Sequence, residues 1–473
     1  MNELIRMSAV EAVQALGAGA VSPRELVEAA AERIEVVDGT INAIPTRCFD
    51  RAMAHAERIM RQTRVADRPR GWLGGLPVVI KDLHPVSGVR CTYGSPIFAD
   101  FIPDESDHLV ETLERNGAIV VGKSNTPEFG AGASTFNEVF GATRNPWNTT
   151  RSVAGSSGGA AAALAAGEVW LATGSDLGGS LRTPASFNAV VGLRPSPGRV
   201  PRGPSLTPFD TLPVNGPMAR TVRDAALFLD AMCGAHPRDP LSIAAPETSF
   251  LEYLNRARPP GRVAFSTDLG IVPVDPEVAQ ICERATLEFV SMGTVVDAAC
   301  PDFSGAIDCF QTLRAGLFAT EMTDTLREHR KLLKPEVIWN IEKGLEATGD
   351  ELTRAQYTRA ILYQRVVDFF DRHELLLCPT AIVPPFDVSC RYVEEAGGVK
   401  FDNYVGWIAI TFVITLTGCP AMSVPVGFTA DGLPVGLQIV GPPRGEAAVL
   451  AAAHLLERTV SFPRPLPIDP YTP

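Results

Sequence analysis

The stretch GSSGGAAAALAAGEVWLATGSDLGGS, Gly155 to Ser180, sets two glycine- and serine-rich turns on either side of a small-residue run, Ala160 to Gly167. Glycines permit backbone conformations closed to other residues and let the main chain come close to a ligand. Their N–H groups are suited to point at a developing oxyanion. Ser180, at the end of the second turn, is well placed to attack a carbonyl. Taken singly, each turn reads more simply as a tight turn or a glycine-capped helix.

Outward from this stretch, strands alternate with helices. Leu76-Pro77-Val78-Val79-Ile80 reads as a buried strand that delivers Lys81-Asp82 at its C-terminal end. A helix over about 106–116 and the strand Ala118 to Val121 follow. Further strands are expected at Val169–Ala172, Arg262–Phe265, Glu374–Leu377 and Val435–Val440. This alternation predicts an α/β/α sandwich around a central, largely parallel or mixed sheet. Upstream, Ser8 with Glu11 and Ser22-Pro23 with Glu25 form two capping boxes, each before an apolar-periodic run. The second run is expected to end at Asp38-Gly39, and another helix to cover Phe49 to Arg64. The Pro/Gly-rich stretch 195–217 reads as a surface loop. One domain, 1–473, is expected: helices to about 65, a core at about 75–230 and a variable segment at about 300–400.

The bulk numbers exclude several classes. The 473 residues are 45% hydrophobic and 20% charged, as for a well-packed globule, and the net charge is −12. An acidic surface repels phosphate backbones, so no nucleic-acid partner is expected. The nine cysteines are scattered without a CxxC pair, which reads as free thiols in a reducing compartment. No two of the seven histidines have ligand spacing, so no metal is expected. Met1 to Arg6 lacks the apolar run of a signal peptide. Asn403 to Ala430 carries no charge, but its prolines and glycines fit buried strands and a buried helix better than a membrane span. The cytoplasm is the expected location.

Two other motif readings are poor. A phosphate loop needs a Gly-Lys-Ser/Thr that does not follow. Gly155 to Gly159 formally fits GxSxG with Ser157 as nucleophile, but that elbow needs a buried strand upstream, where Asn145 to Arg151 is polar and turn-like.

Gly155 to Gly159, the Ala-rich helix, Gly174 to Ser180, Arg182, Pro184-Ala185 and Val191 to Pro195 together resemble the amidase signature family. Val79-Ile80-Lys81-Asp82, Gly122 to Glu128, Thr143 to Trp147, Gly216 to Arg220 with Asp224, and Gly418 to Gln438 are similar to its other blocks. The resemblance implies the amidase signature fold, with Ser180 as nucleophile, Ser156, 24 positions earlier, as a bridging serine after a cis peptide bond, and Lys81 as base. It also implies an oxyanion hole from the N–H groups of Leu177, Gly178, Gly179 and Ser180, with Asp176 and Arg182 behind it or pairing on the rim. Gly130 resembles a pocket-wall position where a glycine leaves room. Ala154 and Ser175 stand where the family usually has Gly and Thr; neither change removes a reacting group.

The chemistry is coherent. A serine hydroxyl needs a base, and a lysine serves only when burial lowers its pKa toward neutrality. No histidine is needed; His84 reads as a structural or rim residue. The expected reaction is amide hydrolysis through an acyl-enzyme without cofactor, on small-molecule apolar or aryl amides, with esters and carbamates open. Phe209, Phe303, Phe310, Phe318 and Trp339 are pocket candidates, although core is the simpler reading for each. The rival within the family is the glutaminase subunit of a tRNA-dependent amidotransferase. Segment 310–335 lacks the Tyr-rich block of that rival, and no arginine is a convincing partner for a glutamine carboxylate: Arg182 sits in the shared motif and Arg314 is only a candidate. A non-catalytic binding protein is the rival of another class, and keeping Lys81, Ser156 and Ser180 together argues against it. A homodimer stays open.

Overall fold

The computed structural model describes residues 2–61, 69–460 and 465–473. Eleven strands form one mixed sheet, in the order Thr46–Arg47, Ile119–Ser124, Pro77–Lys81, Leu171–Asp176, Val214–Ala219, Val191–Arg194, Ala421–Phe428, Pro434–Val440, Leu375–Pro379, Arg262–Phe265, Val295–Ala298. The Lys81 strand runs parallel to both its neighbours, Ile119–Ser124 and Leu171–Asp176. The centre, from Leu171–Asp176 to Leu375–Pro379, is antiparallel.

Both faces of the sheet are covered, and the period of two in the strands shows it. Val78 and Ile80 pack into one apolar cluster and Val79 into another; Val120 joins the first, Ile119 and Val121 the second. Strands buried on both faces read as unbroken apolar runs, which is why these segments were visible in the sequence. Leu376 and Cys378 turn to a third cluster, built around Phe310, Phe412 and Trp407.

The Ala-rich run forms the helix Gly158–Ala166, buried all round. Its lack of large side chains lets it lie against neighbouring main chain. A Cβ on Gly159 would stand 2.4 Å from the Asn125 nitrogen and 2.7 Å from the Ala43 oxygen. Gly159→Ala is therefore expected to lower stability by about 1–3 kcal/mol through overpacking. A lowered urea midpoint at constant slope checks this; an unmoved midpoint refutes it.

Both capping boxes are present. The second helix runs past Gly39 to Ile41, because Asn42 takes the left-handed cap (φ 54°) and Asp38 turns back to accept from the Ala43 and Ile44 N–H groups. The next helix is Phe49–Arg61; its expected end, Arg64, lies outside the described residues. The charge-free stretch forms the buried helix Ala409–Thr417 and the strand Ala421–Phe428. Among the described residues no helix is long and apolar enough to cross a membrane. The loop expected over 195–217 ends earlier, since Val214–Ala219 joins the sheet, and part of it lines the cavity described next.

Candidate active site

Lys81 ends its strand and is fully buried. Its Nζ donates to Ser156 Oγ (2.7 Å), Ser157 Oγ (2.8 Å) and Ser175 Oγ (3.1 Å). Burial pushes its pKa down to about 7, against the pull of the Asp176 charge. Lys123, on the adjacent strand, is equally buried, but its Nζ lies 2.9 Å from Asp82 Oδ1. Burial, the largest influence, lowers that pKa too; the Asp82 charge and hydrogen bond, together with those of Cys91, outweigh it and hold the group above its ordinary value. Two buried lysines on adjacent strands thus differ in their partners: Lys123 faces Asp82 and Cys91, Lys81 serine hydroxyls.

Ser156 follows a cis Gly155–Ser156 bond and is buried. Ser180 is half-buried, and both serines line one cavity of about 540 Å³. Among the described residues no hydrogen bond joins their hydroxyls; such contacts often close only around substrate. Ser157 stands at the start of the Ala-rich helix without a side-chain cap bond; its hydroxyl accepts from Lys81 instead, and its N–H donates to the Ser180 carbonyl (3.1 Å), tying the two turns together. It is fully buried and does not line the cavity, which argues against the elbow reading.

Asp176 and Arg182 are not on a rim. Both are fully buried, and Arg182 donates to both Asp176 oxygens (2.9 and 3.0 Å), to Thr411 O and to Gln438 Oε1. Burial alone would raise the Asp176 pKa; Arg182, then Arg194, hold it far below the usual carboxylate range. Asp176 also accepts from the Gly179 N–H (2.9 Å) and the Leu181 N–H (3.1 Å). The Gly179 N–H, expected in the oxyanion hole, is therefore already engaged. The N–H groups of Leu177, Gly178 and Ser180 have no acceptor among the described residues, and these three residues line the cavity. Gly179 has φ 117°, and a Cβ on it would meet Thr411 Oγ1 at 2.2 Å, so glycine alone fits there.

Gly130 does line the cavity, but a Cβ there would stand 3.1 Å from Leu83 Cδ1 and 3.4 Å from Ser156 Oγ. Its effect is to let the wall close on Ser156 rather than to open space. His84 is a wall residue, buried, with Nδ1 3.2 Å from Asp107 Oδ2. Of the pocket candidates only Phe318 lines this cavity; Phe303 and Phe310 are core, Phe209 is exposed, and Trp339 borders a second groove of about 900 Å³ that holds none of the groups above.

Sequence reasoning missed the aromatic wall. Tyr93, Phe98, Phe101 and Phe129 form a contiguous ring cluster, with centroids 5.1 to 6.4 Å apart. These residues sit in turns and short 3₁₀ segments, where no periodicity marks them.

Comparison with known proteins gives the family. The family model described as Amidase matches residues 25–450. An acylamidase of Rhodococcus erythropolis is 34% identical over 98% of this chain and 97% of its own. A glutamyl-tRNA(Gln) amidotransferase subunit of Moorella thermoacetica is 33% identical over 98% of this chain and 99% of its own. Among solved structures, a bacterial aryl acylamidase superposes with a TM-score of 0.89 at 29% identity, covering 96% of both chains. The chain belongs to the amidase signature family, whose members hydrolyse amides.

Proposed function

We propose that this enzyme hydrolyses apolar or aryl amides through an acyl-enzyme on Ser180. The observation that carries the reading is Lys81: fully buried, free of a carboxylate partner among the described residues, poised near pKa 7 and bonded to Ser156. Neutral Lys81 takes the Ser156 proton as Ser156 takes that of Ser180, and Ser180 Oγ bonds to the amide carbon. The N–H groups of Leu177, Gly178 and Ser180 stabilise the resulting oxyanion. The proton then returns through Ser156 to the leaving nitrogen, the C–N bond breaks and the amine departs. Water attacks the ester by the same relay, releasing the acid and restoring Ser180. Asp176 and Arg182 hold the oxyanion turn in place.

The aromatic wall supports the substrate class, because apolar pockets bind by area, at about 25 cal/mol per Å² removed from water. Esters and aryl carbamates of similar shape fit the same chemistry. The glutaminase reading draws on amidotransferase relatives such as that of Moorella thermoacetica. The net charge of −12 gives no support for a tRNA-bound assembly. Hydrolysis of a simple anilide and of glutamine under the same conditions decides between the two. We expect the anilide to be clearly faster; a preference for glutamine would overturn the substrate class and leave the serine–lysine assignment standing. The nine unpaired cysteines support a reducing compartment such as the cytoplasm.

A further inference from the structure

Arg314 lines the catalytic cavity from the helix Ala306–His329, and it is 7% exposed. Its guanidinium donates to Asn340 Oδ1 and Tyr404 Oη, and lies over the rings of Phe318 (4.5 Å) and Tyr404 (5.3 Å). All these partners are neutral. Among the described residues no carboxylate pairs with it. Glu336 is taken by Arg391 (2.7 and 2.8 Å), and Glu321, on the same cavity wall, by the Thr207 hydroxyl (2.5 Å) and Arg202 (3.6 Å). A buried cation without a counter-ion is costly. Here it is also held rigid, between two rings and two acceptors, in the cavity where the substrate binds.

Its place relative to the reacting serine follows from the helix. Phe310, one turn before Arg314, is with Ile408 the nearest side chain to a Cβ placed on Gly178, each at 3.3 Å. Side chains four apart on a helix are neighbours, with Cβ atoms about 5–6 Å apart. Arg314 and the oxyanion turn, Leu177, Gly178 and Ser180, thus share one cavity, with Phe310 packed between the helix and that turn.

We propose that Arg314 is a carboxylate anchor, so that the preferred substrate is an amide with an apolar or aryl group on one side and a carboxylate, a few methylenes from the scissile bond, on the other. This rests on the amide-hydrolysis reading above and narrows its substrate class. A planar guanidinium forms two parallel bonds to a carboxylate, which fixes orientation as well as affinity.

The probes are glutaranilic acid, with the carboxylate on the acyl side, N-benzoyl-4-aminobutyrate, with it on the amine side, and for each the neutral compound in which methyl replaces carboxyl. Wild-type KM should be lower for the acid than for its neutral partner in at least one pair, and the responding pair tells which side the anchor serves. In Arg314→Met the ratio of kcat/KM, acid over neutral, should fall about 100-fold in that pair, mostly through KM, with Arg314→Lys in between. Equal or higher wild-type KM values for both acids overturn the anchor without needing any variant. So does a ratio that Arg314→Met leaves unchanged, which would mean that Arg314 only props the wall. Failure of the amide-hydrolysis reading is distinct: neither the acids nor the neutral anilide would turn over.

Discussion

Ser180→Ala should lower kcat/KM on an anilide by about 10⁴-fold or more, because it removes the atom that bonds to the carbonyl carbon. The loss should fall on kcat, with the substrate still bound by the aromatic wall. Ser157→Ala is the informative contrast. Its hydroxyl is 2.8 Å from Lys81 Nζ but outside the cavity, so its removal deprives Lys81 of one neutral partner and leaves the nucleophile intact. A drop of about tenfold is expected, the scale of a lost hydrogen bond to a charged or polarised group. Mass spectrometry with a slow aryl carbamate or ester should find the acyl group on Ser180 in wild type and none in Ser180→Ala. A dead Ser157→Ala beside an active Ser180→Ala would reverse the assignment.

Lys81→Met should cost about 10²–10⁴-fold, the range of a general base, and Lys81→Arg about as much, since guanidinium stays protonated at any working pH. The sign of the pH dependence follows from the depressed pKa. Protonated Lys81 cannot accept a proton, so activity is present above about pH 7 and is lost as pH falls through it. Wild-type kcat/KM should rise between pH 6 and 8 with an apparent pKa about 7, and that limb should vanish from the residual rate of Lys81→Met. A limb that survives in the variant would assign the titration to another group and sink the base assignment.

Much of the scaffold was legible beforehand. The apolar runs at 76–80 and 118–121 became strands because burial on both faces leaves no room for polar alternation; in the strand at 435–440 the one polar side chain, Gln438, is buried and accepts from Arg182. The capping boxes at Ser8 and Ser22 are local devices, complete within four residues, and both formed. Helix ends were less legible: Gly39 looked like a stop, yet Asn42 made the cap once Asp38 reached past it to two backbone N–H groups.

The site divides in the same way. The sequence by itself determined the chemical inventory: a lysine at the end of a buried strand, two serines 24 positions apart in glycine-rich turns, and a small-residue helix thin enough to bring those turns together. These follow from short-range pattern, which the chain carries whatever it folds against. Only the tertiary structure decided how each group behaves. Lys81 and Lys123 both follow apolar runs, and the difference in their pKa comes from Asp82 and Cys91 facing one and serines the other. The Gly179 N–H was lost to Asp176, a choice fixed by how Arg182 and Arg194 pin that carboxylate. The aromatic wall comes from residues 93–101 and 129 in irregular backbone, and Arg314 gains its meaning from Asn340 and Tyr404, far along the chain. Desolvation and counter-ion distance are properties of neighbours brought together by folding, so no reading of the chain in order contains them.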